Sequence, residues 1–265
     1  MIPPIQDMKN AFSVEGMHVV VTGGGRGIGF GISTAFAQSG AHVAILGRSE
    51  TTGEKAVKEL QQYGGNHFFV KCDVADLGDT QTATEQVMER FGHVDVLVNN
   101  AGISLQSPLL QDEGLKKWHA VIDTNLHGPV NMIYSMAPKM IQAGNGGSII
   151  NISSIGSMNC SNAKDQPMPP YFTAKAALNQ FTRYMSVELG PFNIRVNCIA
   201  PGMTHSDLDA GLSQSMLDLV STKMPMGRFG EPIEIGALCI YLASRAGCHV
   251  TGAIYVHDGG LLVVK

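Results

Sequence analysis

His18-Val-Val-Val-Thr-Gly-Gly-Gly-Arg-Gly-Ile-Gly29 decides the fold. Val19–Thr22 is apolar and β-favouring, which reads as a buried strand. Gly23, Gly24, Gly25, Gly27 and Gly29 then let the backbone turn sharply. The residues after them, Gly29–Gln38, follow a helical pattern. Strand, tight turn and helix in succession leave free N–H groups and the positive end of the helix dipole at the turn, where a pyrophosphate is favoured. The strict Gly-x-Gly-x-x-Gly spacing does not occur; the spacing is Gly23-x3-Gly27-x-Gly29.

Outward from this stretch, the alternation continues. Short apolar runs lie at His18–Val21, His42–Leu46, His67–Val70, Val94–Val98, Ser148–Ile152, Arg195–Ile199 and Ala253–Val256. Helical patterns lie between them at Gly29–Gln38, Thr52–Tyr63, Thr80–Phe91, Leu115–Met140, Tyr171–Leu189 and Pro232–Ala243. Strands alternating with helices imply an α/β fold with one doubly wound parallel sheet and helices on both faces. No linker, repeat or low-complexity tract interrupts it, so residues 1–265 are expected to form one domain with an N-terminal extension over 1–13. Ser157–Pro170 and Pro201–Lys223 break the rhythm just after strands. Ligands of open α/β sheets bind at the carboxyl ends of strands, so these two stretches are the expected walls of the substrate site.

Composition narrows the class. Of 265 residues, 44% are apolar and 15% charged, enough for a large core. The net charge is −4 and no Lys/Arg run exceeds a pair, which argues against nucleic acid or an anionic membrane as partner. Met1–Phe12 holds no apolar stretch of signal-peptide length, and no apolar run approaches the roughly 20 residues of a membrane helix. Five scattered cysteines without a Cys-x-x-Cys pair point to a reduced, cytoplasmic protein. Neither a Gly-x-Ser-x-Gly elbow nor a P-loop is present, and nine histidines lack a His-Glu-x-x-His spacing, so no metal is expected at the active site.

Two local signals carry chemistry. Tyr171 and Lys175 stand four apart on a helix started by Pro170, hence on one face. A nearby ammonium favours a phenolate, so Lys175 is expected to lower the Tyr171 pKa and fit it for proton transfer. At the end of the fifth apolar run, Ser153 and Ser154 can hydrogen-bond a substrate oxygen. The second run ends in Gly47-Arg48-Ser49, where an NAD-binding protein would place a carboxylate. Arg48, with Arg26 as a second cation, suits the 2′-phosphate of NADP(H).

Together these features resemble the short-chain dehydrogenase/reductase family, from about Val14 to Gly260. The resemblance rests on Thr22–Gly29, Asp73, Asn99-Asn-Ala-Gly102, Asn125, Ser154, Tyr171-x3-Lys175, Pro201-Gly202 and Asp258-Gly-Gly260. It implies Tyr171 as acid/base, Lys175 as its partner and ribose ligand, Ser154 as the substrate-orienting serine and Asn125 as anchor of a relay water. It implies cofactor contacts from Gly23, Gly25, Arg26, Gly27, Ile28 and Gly29 in the turn, and from Arg48 and Ser49 after the second strand. Asp73 and Val74 follow the third strand; Asn99, Ala101 and Gly102 follow the fourth; Pro201, Gly202, Thr204 and Ser206 follow the sixth. Here the chain departs from the family in three places. Seventeen positions separate Ser154 from Tyr171, where the family has roughly thirteen, which the sheet-to-helix architecture accepts as a longer loop. Thr204 and Ser206 share the place of one threonine, and His257 replaces a valine before Asp258.

The resemblance further implies a homo-oligomer, tetramer or dimer, with Leu115–Met140 and Tyr171–Leu189 as contact helices. The expected substrate is a small-molecule ketone or secondary alcohol: a sugar or polyol suits polar Asn159, Ser161, Asn162, Lys164, Asp165 and Gln166, and a hydroxysteroid or bile acid suits Met158, Met168, Met203 and Met216. A ketoacyl-carrier-protein reductase is the alternative, weakened by the lack of a basic patch. A non-catalytic nucleotide sensor is the other, opposed by the complete Asn125, Ser154, Tyr171 and Lys175 set. His205 and Cys160 lie in the two wall segments without a clear role.

Overall fold

Each apolar run is followed by a helix that must cross the sheet before the next run pairs, and such connections make parallel strands. The computed structural model describes residues 8–160, 167–205 and 222–264. Its strands are β1 His18–Thr22, β2 His42–Gly47, β3 Phe68–Lys71, β4 Val96–Asn99, β5 Gly147–Ile152, β6 Ile194–Pro201 and β7 Ile254–His257. They form one sheet in the order β3-β2-β1-β4-β5-β6-β7, and every pairing is parallel. This is the expected doubly wound fold, with the order reversing between β1 and β4, where such sheets open a ligand crevice.

The helices are α1 Gly27–Gln38, α2 Glu50–Leu60, α3 Leu77–Phe91, α4 Gly114–Ile122, α5 Gly128–Ala143, α6 Pro169–Leu189 and α7 Pro232–Ala243. Alternate strand residues feed two cores, because strand side chains point to opposite faces. Val20, Leu46, Leu97 and Ile149 pack with Met132, Met136 and Met140 of α5 on one side. Val19, Val21, Ile45, Val98 and Ile150 pack with Ile32 and Phe36 of α1 and Ile235 of α7 on the other. Fully burying one such side chain contributes ~1.5–3 kcal/mol, so strands apolar on both faces cannot sit at a surface.

Three expectations change. Leu115–Met140 is not one helix: a five-residue π turn, Asp123–His127, separates α4 from α5. Thr52–Tyr63 begins earlier, at Glu50, because Ser49 caps α2 by accepting from the Thr52 N–H. The extension over 1–13 is already packed at Ala11, which is 1% exposed and whose carbonyl accepts from Ala246. No helix among the described residues is long and apolar enough to cross a membrane.

Candidate active site

The glycine turn joins β1 to α1 through two left-handed glycines, Gly23 (φ 62°) and Gly27 (φ 51°). A side chain on Gly29 would run into the Gly23 carbonyl, so helix α1 starts directly against the turn. Gly25 lies on the other side, facing Thr52 of α2; Arg26 stands at the helix N-cap in extended conformation, and Ile28 packs into the core beneath. The turn is clamped from β4: Asn100 donates its side-chain amide to the Thr22 and Gly23 carbonyls at 3.0 and 3.2 Å. The Thr22 hydroxyl in turn accepts from the Asn100 and Ala101 N–H groups, both at 3.0 Å. Asn100 escaped the sequence reading, although it stands inside the Asn99-Asn-Ala-Gly102 motif. A glycine-rich turn running into a helix N-terminus fits a pyrophosphate.

After β2, a Cβ added to Gly47 would meet only Phe69, at 3.8 Å, which leaves room for a bulky group. Arg48 stands beside it at 3.9 Å from Asp73, both side chains well exposed. Ser49 is occupied as the cap of α2. Val74 is buried in the core, with its carbonyl held by Asn131. The Asn99 side chain is 2% exposed, donates to Asn151 at 2.9 Å, and leaves its carbonyl oxygen without a partner among the described residues.

Asn125 lies in the π turn for a reason written in the chain. Pro129, four residues on, has no N–H, so the α-helical bond to the Asn125 carbonyl cannot form. The helix widens instead, and Gly128 donates to Asp123. Such turns gather at functional positions. The Asn125 side chain bonds the Ile103 backbone twice, accepting from N–H and donating to C=O, both at 2.8 Å. It thereby pins the strand extension carrying Gly102. A Cβ on Gly102 would fall 3.3 Å from Asn125 Oδ1 and 3.6 Å from Lys175 Nζ, so glycine lets this backbone pass close to both side chains.

The turn after β5 brings the remaining side chains together. Ser154 starts a short 3-10 turn and accepts from the Gly156 N–H at 3.1 Å; its hydroxyl is also bonded to Tyr171. Ser153 is buried and donates to the Lys175 carbonyl at 3.1 Å. Asn179, one turn beyond Lys175, bonds Ser157 at 2.8 Å and Ser157 donates to the Ser154 carbonyl at 2.5 Å, locking this turn to α6. Lys175 is 4% exposed, gives one N–H to the Ile152 carbonyl at 2.8 Å, and lies 5.8 Å from the Tyr171 ring centre.

Burial holds the Lys175 amine down at about 8, partly offset by Cys198. Burial pushes the Tyr171 phenol up, and the bond from Ser154 acts the other way. The expected depression of Tyr171 by Lys175 is not seen: burial sets the direction, and the Lys175 amine is turned toward the Ile152 carbonyl.

The Pro201-Gly202 segment closes the far side. Gly202 donates to the His257 carbonyl at 2.9 Å and abuts Asp258. Thr204 is nearly buried and bridges to Gly230; His205 lies 3.9 Å from Glu231. Ser206, and the rest of the wall through residue 221, lie outside the described residues, as do 161–166. The described end of the other wall is anchored: Ser107 N–H donates to the Pro167 carbonyl at 2.8 Å, and the Ser104 hydroxyl to the Met168 sulfur at 3.0 Å. Cys160 is exposed.

Residues 23–262 match the family described as enoyl-(acyl carrier protein) reductase. The chain is 39% identical to the 3-oxoacyl-[acyl-carrier-protein] reductase of Chlamydia muridarum, over 91% of this chain and 96% of that one. A short-chain type dehydrogenase/reductase from Mycobacterium marinum is similar in structure, with TM-score 0.89 and 33% identity, over 96% of this chain and 99% of that one. So is a 7α-hydroxysteroid dehydrogenase solved with NADH and 7-oxo glycochenodeoxycholic acid, with TM-score 0.88 and 30% identity, over 96% and 98%. A parallel sheet that opens at β1 and β4, a glycine cradle and a Ser-Tyr-Lys cluster at one edge agree with these likenesses: the chain belongs to the short-chain dehydrogenase/reductase family and is an oxidoreductase of hydroxyl and keto groups.

Proposed function

We propose that the protein is an NADPH-dependent reductase of 3-oxoacyl groups carried as thioesters, converting the ketone to a secondary alcohol. The observation that carries this reading is the 39% identity to a 3-oxoacyl-[acyl-carrier-protein] reductase along nearly the whole of both chains. A sugar-type substrate has weaker support, the 31% identity to a putative gluconate dehydrogenase from Agrobacterium tumefaciens.

The site residues take the following parts. The Gly23–Gly29 turn holds the pyrophosphate, Arg48 the 2′-phosphate, Lys175 the nicotinamide ribose and Thr204 the carboxamide. NADPH held there would supply the hydride that reduces the substrate carbon. Tyr171 holds a proton on its hydroxyl, which the raised pKa keeps in place, and passes it to the ketone oxygen. Ser154, held by the Gly156 N–H and bonded to Tyr171, stands beside the proton donor and orients the same ketone oxygen. Lys175 carries charge below about pH 8 and has donors beyond the one given to Ile152. Asn125 positions Gly102 and the π turn.

The preference for NADPH follows from magnitudes. An exposed pair such as Arg48–Asp73 contributes roughly 0–1 kcal/mol, and a charge-assisted hydrogen bond to phosphate about 1.5–3 kcal/mol. Arg48 therefore leaves Asp73 for a phosphate.

A second reading, a bulky ring ketone, is favoured by the likeness to the 7α-hydroxysteroid dehydrogenase and by exposed Met158 and Met203 beside the site. The deciding experiment mixes purified protein and NADPH with a 3-oxoacyl carrier protein, a 3-oxoacyl coenzyme A, a 7-oxo bile acid and a keto-sugar. Loss of NADPH absorbance is expected with the acyl thioesters first. Turnover of the bile acid alone would overturn the main reading in favour of the second. We also infer a dimer or tetramer, since Tyr134 of α5 and Tyr184 and Val187 of α6 are 64%, 67% and 77% exposed; sedimentation as a monomer at micromolar concentration would refute it. Five free thiols suit the cytoplasm.

A further inference from the structure

The first four strands are each led in by a histidine: His18-Val, His42-Val, His67-Phe and His93-Val. The order β3-β2-β1-β4 lines these up as His67, His42, His18, His93 along the amino edge of the sheet, opposite the edge that carries Tyr171. Hydrogen bonds divide the row. His67 uses both ring nitrogens, Nδ1 accepting from Val43 N–H and Nε2 donating to the Gly64 carbonyl. His42 Nδ1 accepts from Asn66 N–H at 2.9 Å, so its other nitrogen carries the proton of the neutral ring. Neither has a lone pair to offer.

His18 has one. Its Nδ1 lies 3.1 Å from the His93 carbonyl; a carbonyl only accepts, so Nδ1 carries the proton and Nε2 the lone pair. The ring is stacked on Phe91, 4.4 Å between centres and 7° from parallel. Asp95 is fixed through Oδ2 to the His18 N–H at 2.8 Å, and His93 Nε2 approaches the same oxygen at 3.4 Å. One donor atom each from His18, His93 and Asp95 lies within 4.8 Å of the other two, and the three residues are half-buried.

Two imidazoles and a carboxylate are donors that zinc and its neighbours accept. Zinc bonds of roughly 2.0–2.2 Å place tetrahedral ligand atoms about 3.3–3.5 Å apart. Closing from the observed spread needs about an ångström of side-chain rotation, which the partly exposed His93 can supply. A ring N–H donating to a backbone carbonyl, as His18 does, is the outer contact that orients metal-bound histidines. We propose that His18, His93 and Asp95 bind one divalent ion of the zinc class, with water in the fourth position. The ion clasps the start of β1 to the segment entering β4 and takes no part in the chemistry at the opposite edge.

The test titrates metal-stripped, full-length protein, free of any affinity tag, with zinc and separately with cobalt(II). One equivalent of zinc should bind and raise Tm. The cobalt form should show visible absorption of a tetrahedral ion without a sulfur-to-cobalt charge-transfer band. His93→Gln and Asp95→Asn should each weaken zinc by roughly tenfold or more. Both should keep the metal-free Tm, since Asp95→Asn retains an oxygen for the His18 N–H and His93 is near the surface. Absence of zinc binding at micromolar concentration, a thiolate band, or undiminished binding in the double variant would overturn the proposal.

Discussion

The turns after β1 and β5 lie at the same carboxyl edge of one sheet and are made of different material. The turn after β1 is backbone: glycines, a helix start and carbonyls clamped by Asn100. The turn after β5 is side chain: Ser154 and, from α6 beside it, Tyr171 and Lys175. A backbone cradle recognises an anion by the direction of its N–H groups, so it depends on the absence of side chains. A side-chain cluster does proton chemistry, so it depends on particular functional groups and on their burial. Substitutions in the two turns should therefore fail in different ways.

The largest effect is expected on the side-chain turn. Tyr171→Phe keeps the ring and removes the proton, so turnover should fall by ~10²–10⁴ or more while NADPH titration by fluorescence stays nearly unchanged. Retention of more than roughly a tenth of turnover would remove Tyr171 from its role. On the backbone turn, Gly29→Ala should do the reverse. Its Cβ meets the Gly23 carbonyl, and overpacking costs typically ~1–3 kcal/mol, read as lower Tm and weaker NADPH binding. Normal NADPH affinity in Gly29→Ala would break the comparison.

Next comes the pH limb that joins the turns through Lys175. Its pKa is lowered to about 8, so its charge is present below that pH and lost as pH rises through it. In the free enzyme kcat/KM for NADPH should fall above about pH 8, and Lys175→Met should be low and flat across the same range. An unchanged limb in Lys175→Met would assign it to another group.

The smallest expected effect is cofactor choice. One charge-assisted contact from Arg48 contributes about 1.5–3 kcal/mol, roughly ten- to hundredfold in the ratio of kcat/KM for NADPH over NADH. Gly47→Asp with Arg48→Ile should reverse the order, because the carboxylate bonds the free ribose hydroxyls and repels the phosphate. Equal use of NADH by the unmodified protein would leave Arg48 as the surface partner of Asp73.

All seven strands, the parallel topology and the four-residue step that puts Tyr171 and Lys175 on one helix face were legible in the sequence. Period and spacing are properties of the chain, and a buried strand or a four-residue helical step needs no knowledge of neighbours. The break in Leu115–Met140 was half legible: Pro129, four residues after Asn125, announces a missing helical bond, but a continuous apolar stripe conceals it. Tertiary structure alone decided the rest. It turned Asn99 toward Asn151, gave the clamp to Asn100 and sent the Lys175 amine to Ile152. It also set the sign of the Tyr171 shift, because desolvation depends on what surrounds a group in three dimensions, and spacing along the chain carries no record of that.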